Sequence, residues 1–282
     1  MKTPVLIFVL LCSATLWAQS PTDVSQRSWL RGGGQSPSAV VEAEPRPPLA
    51  YAHVRENDIL WEKRVWRVID THEKINLTFR HPQHSLWNAI ESGVAEGTLT
   101  LYSPEDDRFG TLKAVNPAAP LDFLVTRDTL VIIDPVTLQE TLQVVTNDFD
   151  PNRIKRWRVQ EVWYFDQRYS QMKSRIIGIA PVVEIRTEMG EGVAYESALF
   201  WINYAEARPW LAQHTAINPG NDHDPMSWED VLEMRRFHSY VYKESNIHDR
   251  RLQDYLTGDD LLRKSTQIDR DIQHKEMDMW SY

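Results

Sequence analysis

Between Trp157 and Phe165 the chain alternates: Trp157, Val159, Trp163 and Phe165 recur at every second position, and Glu161 interrupts the row. A period of two marks one face of a strand. Further on, Lys173, Arg175, Ile177 and Ile179 alternate with Met172, Ser174, Ile176 and Gly178. Two such runs around residues 166–170 predict an antiparallel hairpin with a five-residue loop. Pro181 has no N–H to give to a ladder and is expected to end the second strand. The stretch could build a core or form a ligand surface. Aromatic side chains at period two favour the core, with Trp163 mostly buried.

The same reading extends along the chain. Residues 59–69 carry apolar side chains at Trp61, Val65, Trp66, Val68 and Ile69, which fits a helical turn leading into a strand. Residues 84–92 predict a helix with Leu86, Trp87 and Ile90 on one face and Gly93 at its end. Residues 98–102 are strand-like, and residues 129–133 and 138–146 flank Asp134-Pro135-Val136-Thr137 as a second hairpin. Residues 197–204 read as a buried strand and residues 209–216 as a short helix. Ser227 and Asp230 have the spacing of a capping box, which opens a helix expected to run toward Lys243. After Asp259, Leu261, Ile268, Ile272 and Met279 fall on one helical face, extended by Trp280. That stripe is thin and its surroundings are charged, so it fits a groove or facing helix on a partner or a neighbouring copy. Packing on its own domain is the alternative.

Together these elements predict an α+β fold, with antiparallel hairpins in the centre and helices concentrated in the C-terminal third. The expected organisation is a signal peptide over 1–18, a tail or linker over 19–50, a domain over 51–258 and an amphipathic helix over 259–282. Lys2, the apolar run from Val5 to Leu11 and Ala18 form the three parts of a secretory signal. Cys12, the sole cysteine, lies inside that segment, and Leu11 before it is too large for a lipid-attachment site. Without its signal the chain therefore has no cysteine and no disulfide, so its core must hold it together. Residues 19–50 contain five Pro, five Ser and three Gly, too little apolar surface to offset the entropy of ordering. Such a tail is either a spacer or a segment that folds on a partner.

The formal charge is −9 and the chain has no basic block, which makes nucleic acid a poor partner. Chemistry is hard to find. His72-Glu73 starts like a zinc-protease helix, but Asn76 stands where the second His is needed. Residues 221–224 lack the spacing, Gly and distal Glu of a calcium loop and read as a turn. Arg31-Gly-Gly-Gly34 follows no strand, so it is no phosphate loop. Adjacent acids such as Asp106-Asp107 and Asp259-Asp260 are most simply solvated. No metal or cofactor is expected. A carboxylate-based periplasmic hydrolase stays open as an alternative. So does a periplasmic ligand-binding protein, although the long βα alternation of two-lobed binders is missing.

Several stretches in order resemble the gliding-motility GldN family, also called PorN. They are residues 63–70 (KRVWRVID) with 73–76 (EKIN), residues 157–181 with WYFD and RIIGIAP, and residues 199–204 (LFWINY) with 206–209 (EARP). Residues 239–246 (SYVYKESN) and 249–251 (DRR) complete the series. The resemblance implies a non-enzymatic periplasmic component of the type IX secretion system. It implies assembly with an outer-membrane lipoprotein of GldK or PorK type into a ring, with self-association, and a link to the periplasm-spanning motor subunit of GldM or PorM type. Contact with the membrane would run through the lipoprotein. The family brings no catalytic motif to carry over.

Overall fold

Residue Ile59 begins a strand in which side chains point to alternate faces and both faces become buried from Val65 to Ile69. The computed structural model describes residues 47–104, 121, 124, 126–133, 140–147, 149–185, 195–221 and 226–280. The signal segment, Cys12, the tail up to residue 46, Asp106-Asp107, residues 134–137 and residues 222–224 lie outside them. After a 3-10 turn at Glu56–Asp58 come β1 (Ile59–Asp70), a 3-10 segment (Lys74–Arg80) and α1 (Leu86–Ala95). Next are β2 (Leu101–Tyr102), β3 (Thr126–Ile133), β4 (Glu140–Asn147), β5 (Ile154–Asp166), β6 (Gln171–Ile185), β7 (Tyr195–Ala198) and β8 (Trp201–Asn203). The chain continues through α2 (Tyr204–Leu211), β9 (Thr215–Ala216), β10 (Met226–Ser227), α3 (Trp228–Glu233), β11 (Tyr240–Glu244) and α4 (Asp259–Trp280). The fold is α+β.

A seven-stranded sheet runs in the order β11-β1-β5-β6-β8-β2, with β7 also on β6. Every pairing in it is antiparallel. β3 and β4 form a separate antiparallel pair, and β9 and β10 another. Residues directly opposite each other across a ladder share a face. One row therefore runs Arg67, Val159, Ile179, Ile202, Leu101. Helices α1 to α4 cover this face. Ile69, Trp157, Val159 and Ile202 pack with Leu86, Trp87 and Ile90 of α1, Tyr204 and Leu211 of α2, and Trp228 and Leu232 of α3. Val65 and Val241 pack with Ile268 and Ile272 of α4. On the other face Trp66, Ala180, Ala198 and Trp201 form a third cluster.

The predicted hairpin is β5–β6, and its turn is tighter than the alternation implied. Asp166 pairs with Gln171, leaving residues 167–170 as the loop, with Ser170 in the left-handed region at φ 49°. Pro181 does not end the second strand: β6 runs four residues further, to Ile185, and Pro181 pairs with Trp157. The Pro181 carbonyl accepts a hydrogen bond from the Leu199 N–H. In a strand the N and C=O of one residue point the same way, so the missing donor faces the break between β7 and β8. No ladder bond is lost there. The same break divides the single strand expected over 197–204. Trp163 is mostly but not fully buried, as expected, and packs against the apolar cluster of Val65, Val241, Ile268 and Ile272.

Helix ends account for the remaining differences. α1 passes through Gly93 and stops at Gly97, whose φ is 71°. Thr98 N–H reaches Gly93 O at 2.9 Å and Gly97 N–H reaches Val94 O at 3.1 Å, the paired bonds of a Schellman motif. Gly93 serves a close approach instead, since a Cβ there would sit 2.6 Å from Trp210 Nε1. The Ser227–Asp230 capping box is present, but α3 is six residues long. Arg235, at φ 53°, ends it through a second Schellman pair, Arg236 to Val231 and Arg235 to Leu232. The chain then joins β1 as β11 instead of continuing as helix to Lys243. The helix expected over 209–216 starts earlier, at Tyr204, capped by the Asn203 side chain, and contains Pro209.

Candidate functional site

α4 is a 22-residue helix whose buried stripe faces its own sheet. Ile268 and Ile272 are 1% and 4% exposed, packed with Val65, Val241 and Leu252, and Leu261 joins them partly buried. These two isoleucines pack within their own subunit, the alternative that the thin stripe left open. A stripe of two or three apolar residues suffices because polar contacts supplement it. Met279 is partly buried, and the Trp280 side chain lies outside the described residues. Ser265 Oγ accepts the Val241 N–H at 2.9 Å, Glu276 accepts the Met172 N–H at 3.2 Å, and Asp269 pairs with Arg67. The bond to Val241 closes the edge strand β11, whose main-chain donor would otherwise invite pairing with another chain. Leu262 and Met277, 58% and 61% exposed, mark the helix's outward side.

Beneath α4 lies a buried carboxylate. Glu161, which interrupts the apolar alternation of β5, is 0% exposed and sits at a bulge in the β5–β6 pairing. Bulges redirect a side chain out of the regular alternation. Its Oε2 accepts from Arg67 Nε at 3.1 Å and Trp163 Nε1 at 3.0 Å, and its Oε1 from Arg235 Nη1 at 2.8 Å. Arg235 is the left-handed residue that ends α3, so the Schellman turn also delivers the second cation. Both guanidinium groups lie near the Trp163 ring, 5.9 and 5.2 Å from its centroid. With both oxygens occupied by donors, Glu161 works as a structural anchor that joins β1, β5 and the α3–β11 turn. Through Arg67 and Asp269 it also holds α4.

A second charged assembly holds the segment before β1. Arg208 donates to the Leu49 carbonyl at 2.9 Å, Arg175 to Ala52 O at 2.9 Å and Arg168 to His53 O at 3.3 Å. The Tyr51 ring lies 3.9 Å from the Arg208 guanidinium and 4.7 Å from that of Arg175, and its hydroxyl donates to Glu233. Burial, then the bond to Glu233, pushes the Tyr51 hydroxyl well above its ordinary pKa, so it remains a donor. Arg208 is further tied to Glu229 at 2.6 Å. Although burial works against its charge, the Glu229 bond and nearby negative groups hold the guanidinium pKa above its usual value.

The stretch that begins like a zinc helix forms a latch. Asn76 is buried, donates to Asp70 O at 2.8 Å and His238 O at 2.9 Å, and accepts from the His238 N–H at 2.9 Å. Glu73 meets His238 at 2.5 Å and Asp70 meets His72 at 3.1 Å. Among the described residues no group of three His, Cys, Asp or Glu is placed to hold a metal ion. The concavities among the described residues include two open ones. One of about 370 Å³ is lined by Trp66, Gln160 and the rim from Glu62 to Arg64 with Asn246 and Asp249. The other, about 240 Å³, lies among Phe79, His81, Trp87 and Trp157. Glu161 and Asp166, two fully buried carboxylates, line neither.

Sequence reasoning marked Glu161 as an interruption but could not supply Arg67 and Arg235, which are remote in the chain and meet it through sheet register and through the turn that ends α3. It drew the domain boundary beside Tyr51 without seeing the arginines around it. A sequence model of the family described as "Gliding motility associated protein GldN" matches residues 54–281. No curated protein matches the chain.

Proposed function

The chain belongs to the GldN family of gliding-motility-associated proteins, and from that premise we propose that it is a non-enzymatic structural part of a periplasmic secretion ring. Family membership associates it with gliding motility and type IX secretion. The finer reading is assembly with an outer-membrane lipoprotein of GldK or PorK type, with contact to a motor subunit of GldM or PorM type. The observation that carries it is the extent of the family match, from just before β1 to the end of α4. The use of charge supports it as well. The buried acids are neutralised by cations that lock elements together, as suits a subunit that must hold its shape under load. A partner would meet α4 on its outward side, around Leu262 and Met277, because the inward stripe is taken.

Export of cargo and co-purification test the reading together. Deleting the gene should stop protein export, and the affinity-tagged subunit should retain the lipoprotein through purification. Normal export in the deletion strain, or a subunit purified free of any lipoprotein, would overturn it.

A further inference from the structure

Residues 49–53 form a strap on the surface before β1, with Leu49 85% exposed and Tyr51 37% exposed. Among the described residues the strap pairs with no strand and joins none of the three apolar clusters. What holds it is a row of side chains on the body: Arg168 in the β5–β6 loop, Arg175 of β6, Arg208 of α2 and Glu233 at the end of α3. The three arginines donate to the carbonyls of His53, Ala52 and Leu49. A main-chain carbonyl carries no side-chain identity. Within residues 49–53 the row contacts one side chain, Tyr51, whose ring lies against the Arg208 and Arg175 guanidinium groups and whose hydroxyl donates to Glu233. Bonds with one charged member are the stronger kind. The row therefore fits an open stretch of main chain that presents carbonyls before and after a tyrosine.

The row has supports of its own on the body. Arg208 is fixed by Glu229 at 2.6 Å and lies 3.5 Å from Glu233, and the Arg175 guanidinium lies 5.6 Å from the Tyr164 ring centroid. A receptor whose groups are already held loses little freedom on binding. The strap adds nothing to the apolar clusters, so it can leave without opening them. Every copy of the chain carries both halves, and they match in charge: cationic donors meet carbonyl acceptors, and a carboxylate meets a hydroxyl. In an isolated copy the short link from His53 to the 3-10 turn at Glu56 keeps the strap at high effective concentration over its own row. Beside a second copy the same two halves have a choice of partner, which is the condition for exchanging identical elements. We propose that this row also receives residues 49–53 of a second copy, so that two copies in contact exchange straps. The exchange needs only two copies of this chain, so it stands apart from the lipoprotein and the motor subunit.

Chymotrypsin cleavage after Tyr51, followed in the full chain by mass spectrometry, reads whether the strap is docked. Arg175→Ala keeps the strap and breaks the row, and cleavage there should be at least tenfold faster than in the unaltered chain. Tyr51→Ala keeps the row, weakens its own strap and lacks the cleavage site. Added to the Arg175→Ala chain, it should slow cleavage at least tenfold and saturably, because the intact strap of one copy docks on the intact row of the other. A chain carrying both substitutions should give no slowing. Arg208→Ala breaks the row at a different point and repeats the test, so one misfolded variant does not decide it. If cleavage is no faster in either row variant than in the unaltered chain, the row does not hold the strap and the proposal falls. No slowing at excess Tyr51→Ala chain, or equal slowing by the doubly substituted chain, overturns the exchange.

Discussion

The two halves of the helix-covered face are closed in different ways. Under α1, α2 and α3 the cover is apolar and aromatic. Trp157, Trp228, Phe200 and Tyr204 are almost fully buried, and Phe79 packs on Trp228 at a centroid distance of 5.0 Å. Under α4 the apolar cluster is small, and a buried carboxylate with two guanidinium groups fills the remaining space. Apolar packing is non-directional and strong in proportion to area. An ionic node adds little net stability over apolar packing, yet becomes costly when one partner is removed. The α1–α3 half should therefore set the stability of the whole fold, whereas the α4 half should fix where the C-terminal helix sits.

The largest effect should follow from placing charge in the α4 stripe. Ile268→Asp with Ile272→Asp puts two carboxylates into the apolar cluster with Val65, Val241 and Leu252, at several kcal/mol for each ion. We expect α4 to leave the sheet, exposing the β11 edge, with hydrogen exchange across α4 and β11 becoming fast. If the double variant keeps native protection there, α4 is not held by this stripe. In the other half, Trp228→Ala should cost about 3–5 kcal/mol in chemical denaturation and lower protection throughout the sheet. Loss confined to α3 would show that the aromatic half is not the common core.

Glu161→Gln is a finer probe. It keeps the shape and removes the charge that Arg67 and Arg235 share, and should cost about 1.5–3 kcal/mol, the range for hydrogen bonds to a charged group. Exchange should rise in α4 and the α3–β11 turn while α1 is unchanged. Equal loosening of both halves would remove the distinction between them. The smallest effect concerns pH at the hairpin tip beside α4. The Lys173 ammonium, 2.8 Å away, is the main reason the Asp166 carboxyl sits below its ordinary pKa; burial opposes it, and the Arg168 N–H assists. A depressed folded value means that Asp166 contributes stability above the unfolded carboxyl value of about 3.9, lost as pH falls through the folded value. Lys173→Met raises the folded value, so less stability should remain to be lost in acid. Stability curves from pH 6 downward should then show a shallower acid limb for the variant, and an unchanged limb would rule out the pair as its source.

Much of this architecture was legible in the chain because it depends on local pattern. The alternation around Trp157 and Ile179 located β5 and β6, and Ser227 with Asp230 located the start of α3. What escaped depends on neighbours far away in sequence. Pro181 stays in its strand because β7 and β8 happen to break opposite it. α3 is short because Arg235 takes a left-handed turn, a conformation that no rule of composition assigns to arginine. Ile268 and Ile272 gave a correct helical face, but periodicity reports that a face is apolar, never what covers it. For the charged nodes only the anomaly was visible, as Glu161 in an apolar row. Its cations came into view once sheet register brought β1 and the α3–β11 turn beside it.

The central functional claim is that this chain is a ring subunit and not a free-standing periplasmic protein. Native mass in gently solubilised envelope extracts tests it most directly. We predict that the chain migrates in a megadalton-scale species together with its lipoprotein partner, and that this species vanishes when the lipoprotein is deleted. A chain that migrates at the size of its own monomer or dimer in wild-type extract would contradict the account.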